Sequence, residues 1–379
     1  MIFALKCGSL KKTQDARRKT QDNKIHVYAF GWLPPLNDEI KSRIVWDDEN
    51  PDYVFSTTWQ YVNRKFFNAF KKLYLKNKQR IYIFIGDEAL NPDLNIFDYA
   101  ITFNCNLQDG DRICRIPPGL FLDMPFHNDM TYQAALNKIK NNNLKFCNFI
   151  YSNPDAHPLR DELFYKLSEY KRVDSHGPHL NNTGTERSRE AGDYQEIGIK
   201  IKSNYKFSIA AENAILNGYT SEKLVTSLKA HTVPIYFGNP QVAKEFNPEA
   251  FINFNDLDFN FDALIAKVKE IDEDDELWAK MVSAPWHTEE QIKYINNKAE
   301  SYKNFINKLF DPSVPLSKKK RVPMGTWADR YYKSYFNREY IYKFPDLPRR
   351  GLDLKLRLAA RKILNSLGLL ERYEKFKNN

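Results

Sequence analysis

Residues 205–240 read YKFSIAAENAILNGYTSEKLVTSLKAHTVPIYFGNP, and their pattern is strand, polar turn, helix, turn, strand. The two apolar runs are short and rich in Ile, Val, Tyr and Phe, as expected for strands buried on both faces of a sheet. The helix-like segment between them starts after Thr220 or Ser221, either of which can cap a helix. A helix between two buried strands indicates a parallel β-α-β unit.

The same alternation continues along most of the chain. Buried strands are predicted at 26–30, 53–56, 80–86, 146–152, 205–210 and 232–237. Helix-like stretches follow at 58–75, 131–140, 159–170, 221–230 and 260–271. Alternating strands and helices predict an α/β fold built on doubly wound parallel sheets.

A length of 379 residues fits two domains. We predict a basic arm at 1–23, a first Rossmann-like domain at 24–145, a second Rossmann-like domain at 146–310 and a basic tail at 311–379. Two such domains are expected to face each other, and the cleft between them is the expected ligand site.

Positive charge is concentrated in the tail. The chain carries 57 Lys and Arg against 48 Asp and Glu, whereas residues 311–379 alone carry 17 against 7. Between 352 and 370 apolar residues recur at helical spacing among Lys and Arg, which predicts a basic amphipathic helix. Two interpretations stay open: the helix lies on an anionic membrane surface, or it docks across the two domains.

Several classes of protein are excluded or disfavoured by the same survey. No apolar run approaches the roughly 18 residues needed to cross a bilayer, and no signal-peptide core is visible. We therefore expect a cytoplasmic location, peripheral at most on the inner face of the cytoplasmic membrane. The neutral body lacks any nucleic-acid-binding module, so no nucleic-acid partner is predicted. The sequence carries no signal for an oligomeric state.

No metal site or cofactor requirement is predicted, although a divalent cation is compatible with the fold. The four cysteines and seven histidines show no zinc-like spacing. The acidic run at 272–276 resembles a metal-binding signature, but a solvated helix end explains it more simply. His176 and His179 lie three residues apart, and a loop is the simpler interpretation there too.

Polar residues follow the strand at 205–210, at the carboxyl end where open α/β sheets bind ligands. Glu212 and Asn213 occupy that position. Glu222 and Lys223 stand at the start of the next helix, beside free N–H groups and the positive end of the helix dipole, a favourable setting for phosphate. A purely structural interpretation is also open, in which Ser221 caps the helix and no ligand is involved.

The order of these elements resembles a known family. EN at 212–213, YTSEK at 219–223 and VPIYFG at 233–238 are together similar to the signature of the α-1,3-fucosyltransferases, glycosyltransferase family 10. The resemblance extends to 242–256, to FIYSNPDAHPLRDELFYKL at 149–167 and to DEALNPDLNIFDYAITF at 87–103. The stretch at 242–256 is similar to bacterial members of the family.

The resemblance implies glycosyltransferase B-type architecture, with the acceptor bound by the first domain and GDP-fucose by the second. It implies an inverting enzyme that transfers L-fucose from GDP-fucose to the 3-OH of N-acetylglucosamine, or of glucose, in N-acetyllactosamine-type glycans. Surface glycan or lipopolysaccharide synthesis is the expected setting. An α-1,4 or other fucosyl linkage stays open, and so does a noncatalytic glycan-binding protein of the same fold.

The resemblance also assigns roles to individual residues. Six would bind GDP-fucose: Arg160, Glu212, Asn213, Tyr219, Glu222 and Lys223. Arg160 and Lys223 would contact the pyrophosphate, where two cations stabilise a departing GDP. Glu222 would accept hydrogen bonds from the ribose. Glu212 would position fucose or brace the site.

An inverting displacement needs a carboxylate that takes the proton of the acceptor hydroxyl. Glu88 is the candidate base, because it follows the strand at 80–86 and stands four residues before Pro92, like the family's acidic residue. Asp87 is the alternative base. A third interpretation is that both acids only cap the following loop. The presence of Glu88 together with Arg160 and Lys223 favours an enzyme, since binding alone requires no base.

Overall fold

The computed structural model describes residues 24–116, 124–184 and 194–337. The arm at 1–23 and the predicted amphipathic helix of the tail lie outside these ranges. Within them the predicted α/β class with two parallel sheets is confirmed. No helix of the described residues is long and apolar enough to cross a membrane.

The first sheet of the described chain has six parallel strands. They are β1 Ile25–Phe30, β2 Ile44–Trp46, β3 Tyr53–Thr57, β4 Ile81–Ile85, β5 Tyr99–Thr102 and β6 Ile113–Arg115, in the order β2-β1-β3-β4-β5-β6. The second sheet has five, namely β7 Lys145–Phe149, β8 Val173–Ser175, β9 Tyr205–Ala211, β10 Val233–Phe237 and β11 Ile252–Asn253, in the order β11-β10-β9-β7-β8.

The helices of the described ranges complete both layers around each sheet. They are α1 Asp38–Arg43, α2 Trp59–Val62, α3 Arg64–Lys76, α4 Tyr132–Asn141, α5 Leu159–Tyr170, α6 Tyr194–Lys202, α7 Glu222–Lys229, α8 Phe261–Glu273, α9 Asp275–Ser283, α10 Glu289–Leu309, α11 Leu316–Lys319 and α12 Thr326–Asn337.

The unit β9, α7, β10 folds as its sequence predicts. Ser221 is the N-cap of α7, and its hydroxyl accepts a hydrogen bond from the backbone N–H of Lys223. Every residue of β10 is buried, in agreement with a strand covered on both faces. The register pairs Val233 with Phe207 and Phe237 with Ala211, so the two strands end together at the carboxyl edge.

The first sheet is covered by segments from both halves of the chain. On one face α10 contributes Tyr302 and Ile306 to a cluster that contains Phe55 and Ile83 of the sheet. On the other face α3 and α12 pack over Tyr82 and its neighbours. Because side chains of a strand alternate between faces, residues such as Ile83 and Tyr82 enter different cores.

The basic run at 318–321 is also part of this packing. Lys320 lies 3.0 Å from the fully buried carboxylate of Asp98, which also accepts hydrogen bonds from the backbone N–H groups of Arg321 (2.7 Å) and Val322 (3.0 Å). The sequence-based limits assign 289–310 to the second domain and 311–337 to the tail, whereas these segments pack on the first sheet. A helix pattern shows which face is apolar but not which sheet will cover it.

The two sheets meet near their carboxyl edges. Arg115 of β6 forms a bidentate ion pair with Glu245, whose side chain is 2% exposed. Gly218 approaches the first domain so closely that a Cβ at this position would lie 2.2 Å from the carbonyl oxygen of Phe103. Its φ of +89° also favours glycine. Residue 218 can approach Phe103 this closely only because glycine has no side chain.

Gly218→Ala is expected to lower the free energy of unfolding by about 2 kcal/mol or more, because the new methyl group meets backbone and the φ is unfavourable. Gly110→Ala is the matched control: its φ is +52°, yet nothing lies within 4 Å of the position that a Cβ would take there. It should cost only about 1 kcal/mol. Urea unfolding of both variants measures the difference, and equal losses would contradict the close-approach argument.

Candidate active site

The site is built from the ends of strands. Glu88 follows β4 at the carboxyl edge of the first sheet, while Glu212 and Asn213 follow β9 at the carboxyl edge of the second. Glu222 is the first residue of α7. Since all strands of each sheet are parallel, these positions lie where α/β sheets present their ligand-binding side chains.

Glu88 contacts two residues of the second domain. The phenol of Tyr219 donates a hydrogen bond to Oε2 of Glu88 at 2.9 Å, and the Asn213 amide lies 3.5 Å from the same oxygen. Burial, followed by the charges of Glu212 and Glu88, raises the pKa of Tyr219 well above its usual value, so the phenol stays protonated and donates. The Glu88 side chain is otherwise exposed. The predicted base and two predicted donor-site residues are therefore adjacent.

Asp87 has a different environment. Its Oδ1 accepts hydrogen bonds from the backbone N–H of Thr58 (3.0 Å) and from the Thr58 hydroxyl, and its Oδ2 accepts one from the indole of Trp32 at 3.4 Å. These partners all belong to the first domain. The contacts give Asp87 a structural role and leave Glu88 as the carboxylate that faces the second domain.

Glu212 is completely buried and serves as an anchor. Its carboxylate accepts hydrogen bonds from the backbone N–H (2.7 Å) and the hydroxyl (2.6 Å) of Ser221, and the Lys223 ammonium lies 3.3 Å away. Gly238 makes room for it, because a Cβ there would lie 2.4 Å from Cγ of Glu212. The glycine of the VPIYFG segment is thus required by the buried acid.

Lys223 is held between two carboxylates. Its ammonium lies 3.5 Å from Glu222 as well as 3.3 Å from Glu212, and its side chain is 15% exposed. Burial lowers the pKa of Lys223. The carboxylates of Glu222, Glu212 and, across the cleft, Glu88 raise it by a larger amount, so the net shift is upward. The lysine therefore stays protonated at neutral pH.

The two glutamates beside Lys223 differ in their titration. Burial raises the pKa of Glu212, with Lys223 acting against it. Burial also acts upward on Glu222, but Lys223 and a backbone N–H at the start of α7 outweigh it and hold the pKa of Glu222 below its usual value. Glu222 is also the more accessible side chain, at 33% exposed. Of the two carboxylates, Glu222 is therefore the one that a ligand can reach.

Arg160 supplies the second cation. It is 1% exposed, and its Nη1 donates to the Asn213 side-chain oxygen at 3.3 Å while Nη2 donates to the carbonyl of Asn153. Its guanidinium lies 4.6 Å from the ring centre of Tyr151. Asn213 thereby connects Arg160 with Glu88.

Tyr151 is a site residue that the sequence analysis missed as such. Its hydroxyl accepts a hydrogen bond from the backbone N–H of Ala211 (2.7 Å) and lies 3.0 Å from the Ile209 carbonyl, which fixes the end of β9. Burial raises the pKa of Tyr151 despite the opposing charges of Lys223 and Arg160. Its position at the end of a predicted strand, before the Ser-Asn-Pro segment, is the signal that identifies it.

His176 and His179 lie in a segment that supports Tyr151. His179 is buried and contacts Oδ1 of Asp161 at 2.7 Å, whereas His176 contacts the hydroxyl of Tyr205 at 2.7 Å. Between them, a Cβ on Gly177 would lie 2.0 Å from the Tyr151 carbonyl oxygen. This segment packs against the backbone of Tyr151, and each histidine has its own partner.

The acidic run at 272–276 begins with Asp272, whose carboxylate is likewise bound by neighbouring side chains. Asp272 pairs with Lys171 and with Lys206, the latter at 3.3 Å, and accepts a hydrogen bond from Tyr170 at 3.0 Å. Among the residues that the structure describes, no group of three or more His, Cys, Asp and Glu is arranged to hold a metal ion.

Comparison with known proteins relates part of this chain to a family. Residues 140–312, less than half of the chain, match the family model described as glycosyltransferase family 10 (fucosyltransferase), C-terminal part. The matched range includes all six residues predicted to bind GDP-fucose, and Glu88 lies outside it, in the first domain.

Curated relatives support the same family. Alpha-(1,3)-fucosyltransferase FucT of Helicobacter pylori is 30% identical over 276 residues, which cover 62% of this chain and 52% of that protein. GDP-fucose protein O-fucosyltransferase 3 of Danio rerio is 36% identical over 97 residues, which cover 25% of this chain and 21% of that protein. This chain therefore spans about half the length of the first relative and less of the second.

A solved structure confirms the architecture. The crystal structure of an α1,3-fucosyltransferase with GDP-fucose superposes with a TM-score of 0.53 at 24% identity, over 77% of this chain and 93% of that one. The expected glycosyltransferase B-type fold is thus confirmed for this chain.

Lys223→Met should destabilise the protein by about 2 to 4 kcal/mol, because it leaves the buried Glu212 carboxylate without its cation. In the double variant Lys223→Met/Glu212→Gln the unpaired charge is gone, so the loss should be clearly smaller than the sum of the two single losses. Urea unfolding of the four proteins gives the coupling. Strictly additive losses would show that the two side chains do not form a pair.

Proposed function

We propose that this chain is an inverting fucosyltransferase that transfers L-fucose from GDP-fucose to the 3-OH of N-acetylglucosamine or glucose in N-acetyllactosamine-type glycans. The family model and the names of the relatives support the donor and the reaction class. The name of the Helicobacter pylori relative supports the α-1,3 linkage.

The observation that carries the proposal is the contact of Glu88 with Tyr219 and Asn213. It brings an exposed carboxylate of the first domain next to a cluster of second-domain side chains that contains two fixed cations, Arg160 and Lys223. One side of the cleft then offers a proton acceptor and the other an anion site, which are the two functions that a single displacement needs.

In the proposed step the acceptor 3-hydroxyl oxygen attacks the anomeric carbon of fucose, and its proton passes to the Glu88 carboxylate. The bond between that carbon and the β-phosphate oxygen breaks, and its electron pair leaves with GDP. Arg160 and Lys223 offset the charge that develops on the diphosphate. Glu222 accepts hydrogen bonds from the ribose, while Glu212 braces Lys223 from behind.

A second acceptor class follows from the relatives. The Danio rerio match is named a GDP-fucose protein O-fucosyltransferase, so a polypeptide hydroxyl is the rival to a glycan hydroxyl. The longer match to the Helicobacter pylori protein favours the glycan. Surface glycan or lipopolysaccharide synthesis, at the inner face of the cytoplasmic membrane, is the setting that we propose.

The first experiment measures release of GDP from GDP-fucose by the purified chain, alone and with N-acetyllactosamine, lactose or a peptide that presents serine and threonine. Release is expected to depend on the glycan, to yield an α-1,3 product by mass and linkage analysis, and to persist in EDTA, since Arg160 and Lys223 supply positive charge at the diphosphate. Release with the peptide but with neither glycan would show that the acceptor is a protein. No binding of GDP-fucose by calorimetry would refute the proposal.

Glu88→Gln should lower kcat about 10²-fold to 10⁴-fold while leaving the affinity for GDP-fucose nearly unchanged. The amide still accepts the hydrogen bond of Tyr219 but takes no proton. Asp87→Asn is the control: the same chemical change one residue away should preserve most of the turnover. Calorimetry and initial rates on both variants decide the assignment, and normal transfer by Glu88→Gln would remove Glu88 from the mechanism.

A further inference from the structure

A strongly cationic surface lies on the first domain, away from the cleft residues described above. Helix α3 spans Arg64–Lys76 and contains five Lys and Arg but no Asp or Glu. Lys65, Lys72 and Lys76 are exposed. The amphipathic pattern of α3 buries Phe67, Phe70, Leu73 and Tyr74, so its polar face is almost entirely positive.

Helix α12 lies directly beside α3. The ring of Phe336 is 5.9 Å from that of Phe67 and 6.1 Å from that of Phe70, and Tyr332 is 5.4 Å from Tyr74. Lys71 also donates a hydrogen bond to the Phe336 carbonyl at 2.9 Å. The outer faces of the two helices therefore form one continuous surface.

We define the cationic face as the outer side of α3 and α12 with Lys78 between them. The face contains few acidic residues to balance its positive charge. Helix α12 adds Arg330 and Lys333, both exposed. The single carboxylate contributed by the two helices is that of Asp329, which lies 2.5 Å from Lys78. The two helices and Lys78 thus contribute eight cationic side chains and one acid.

Large apolar side chains are exposed on these helices and, at Met324, just before α12. Trp327 is 79% exposed, Met324 is 57% exposed and Leu75 is 48% exposed, three of the largest such exposures among the described residues. The Arg330 guanidinium lies 5.0 Å from the ring centre of Trp327. Tryptophan and aliphatic side chains among Lys and Arg suit the boundary of a bilayer, where apolar groups enter the acyl region and cations meet headgroups.

The charge of the surface indicates the charge of its partner. Residues 338–379, which continue from α12, carry 11 Lys and Arg and 5 Asp and Glu, so they have the same sign as the face and do not complement it. A nucleic acid would satisfy the cations, but exposed Leu and Met side chains add nothing to backbone phosphate recognition. An anionic bilayer satisfies both the cations and the apolar groups.

We propose that the cationic face binds the surface of an anionic phospholipid bilayer, independently of the amphipathic helix expected in the tail. The attachment is peripheral and electrostatic, with Trp327 inserted at the interface. The proposal does not depend on the transfer reaction and would stand if the chain proved to be inactive.

Flotation of the full chain with vesicles tests the proposal. Wild-type protein should bind vesicles that contain phosphatidylglycerol and not vesicles of phosphatidylcholine alone, and binding should weaken as salt rises. Lys65→Gln/Lys72→Gln/Lys76→Gln should lower the partition coefficient about tenfold or more. Trp327→Ala should lower it by a smaller factor.

The matched control removes three exposed lysines elsewhere, Lys244→Gln/Lys280→Gln/Lys293→Gln, with the same change in net charge. It should bind nearly as wild type does. Both triple variants keep residues 338–379, so a contribution from the tail cancels in the comparison. The proposal is overturned by equal losses in the two triple variants, by undiminished binding of the α3 variant, or by retention on duplex DNA without retention on vesicles.

Discussion

The buried carboxylate of Glu212 is the constraint on which the rest of the site depends. A charged group with no exposed surface is tolerated only when it is fully hydrogen-bonded and paired. Ser221 and Lys223 meet that requirement, and in doing so they fix the start of α7 against the end of β9. Tyr219, two residues before Ser221, is thereby aimed at Glu88. Gly238 follows from the same requirement, since only glycine leaves space for the acid.

The relation between the two halves of the site is set by packing. The buried pair of Arg115 and Glu245 and the close approach of Gly218 to Phe103 hold the sheets together near their carboxyl edges. The contact of Glu88 with Tyr219 and Asn213 spans the same junction. The proposed base therefore belongs to one folding unit and the cations to the other, so that neither domain alone carries the proposed chemistry.

The longer strands and the capped helix of this fold were predictable from the sequence, and the shortest strands were not. β9, α7 and β10 follow from two apolar runs of five to seven residues and a capping serine, whereas β2, β6, β8 and β11 contain two or three residues and leave no periodic signal. The cluster around Glu212 was predictable as a set of residues by resemblance. The sequence favours Glu88 over Asp87 by resemblance alone. The contacts of Asp87 with Thr58 and Trp32, which are far away in the sequence, add a structural reason for that preference. The contact of the basic run at 318–321 with the buried Asp98 was not predictable, because nothing in the sequence links the two.

The covering of the first sheet by α10 and α12 has a consequence for biogenesis. Its strands leave the ribosome first, but α10, which shields Phe55 on one face, and α12, which joins α3 over Tyr82 on the other, are translated after the second sheet is complete. The amino-terminal half must therefore wait with unshielded aromatic surface while some 170 residues are added, from the end of β6 to the start of α10. Nascent chains that stall in this interval are expected to be chaperone substrates, and a stop codon before α12 should yield insoluble protein rather than a smaller active enzyme.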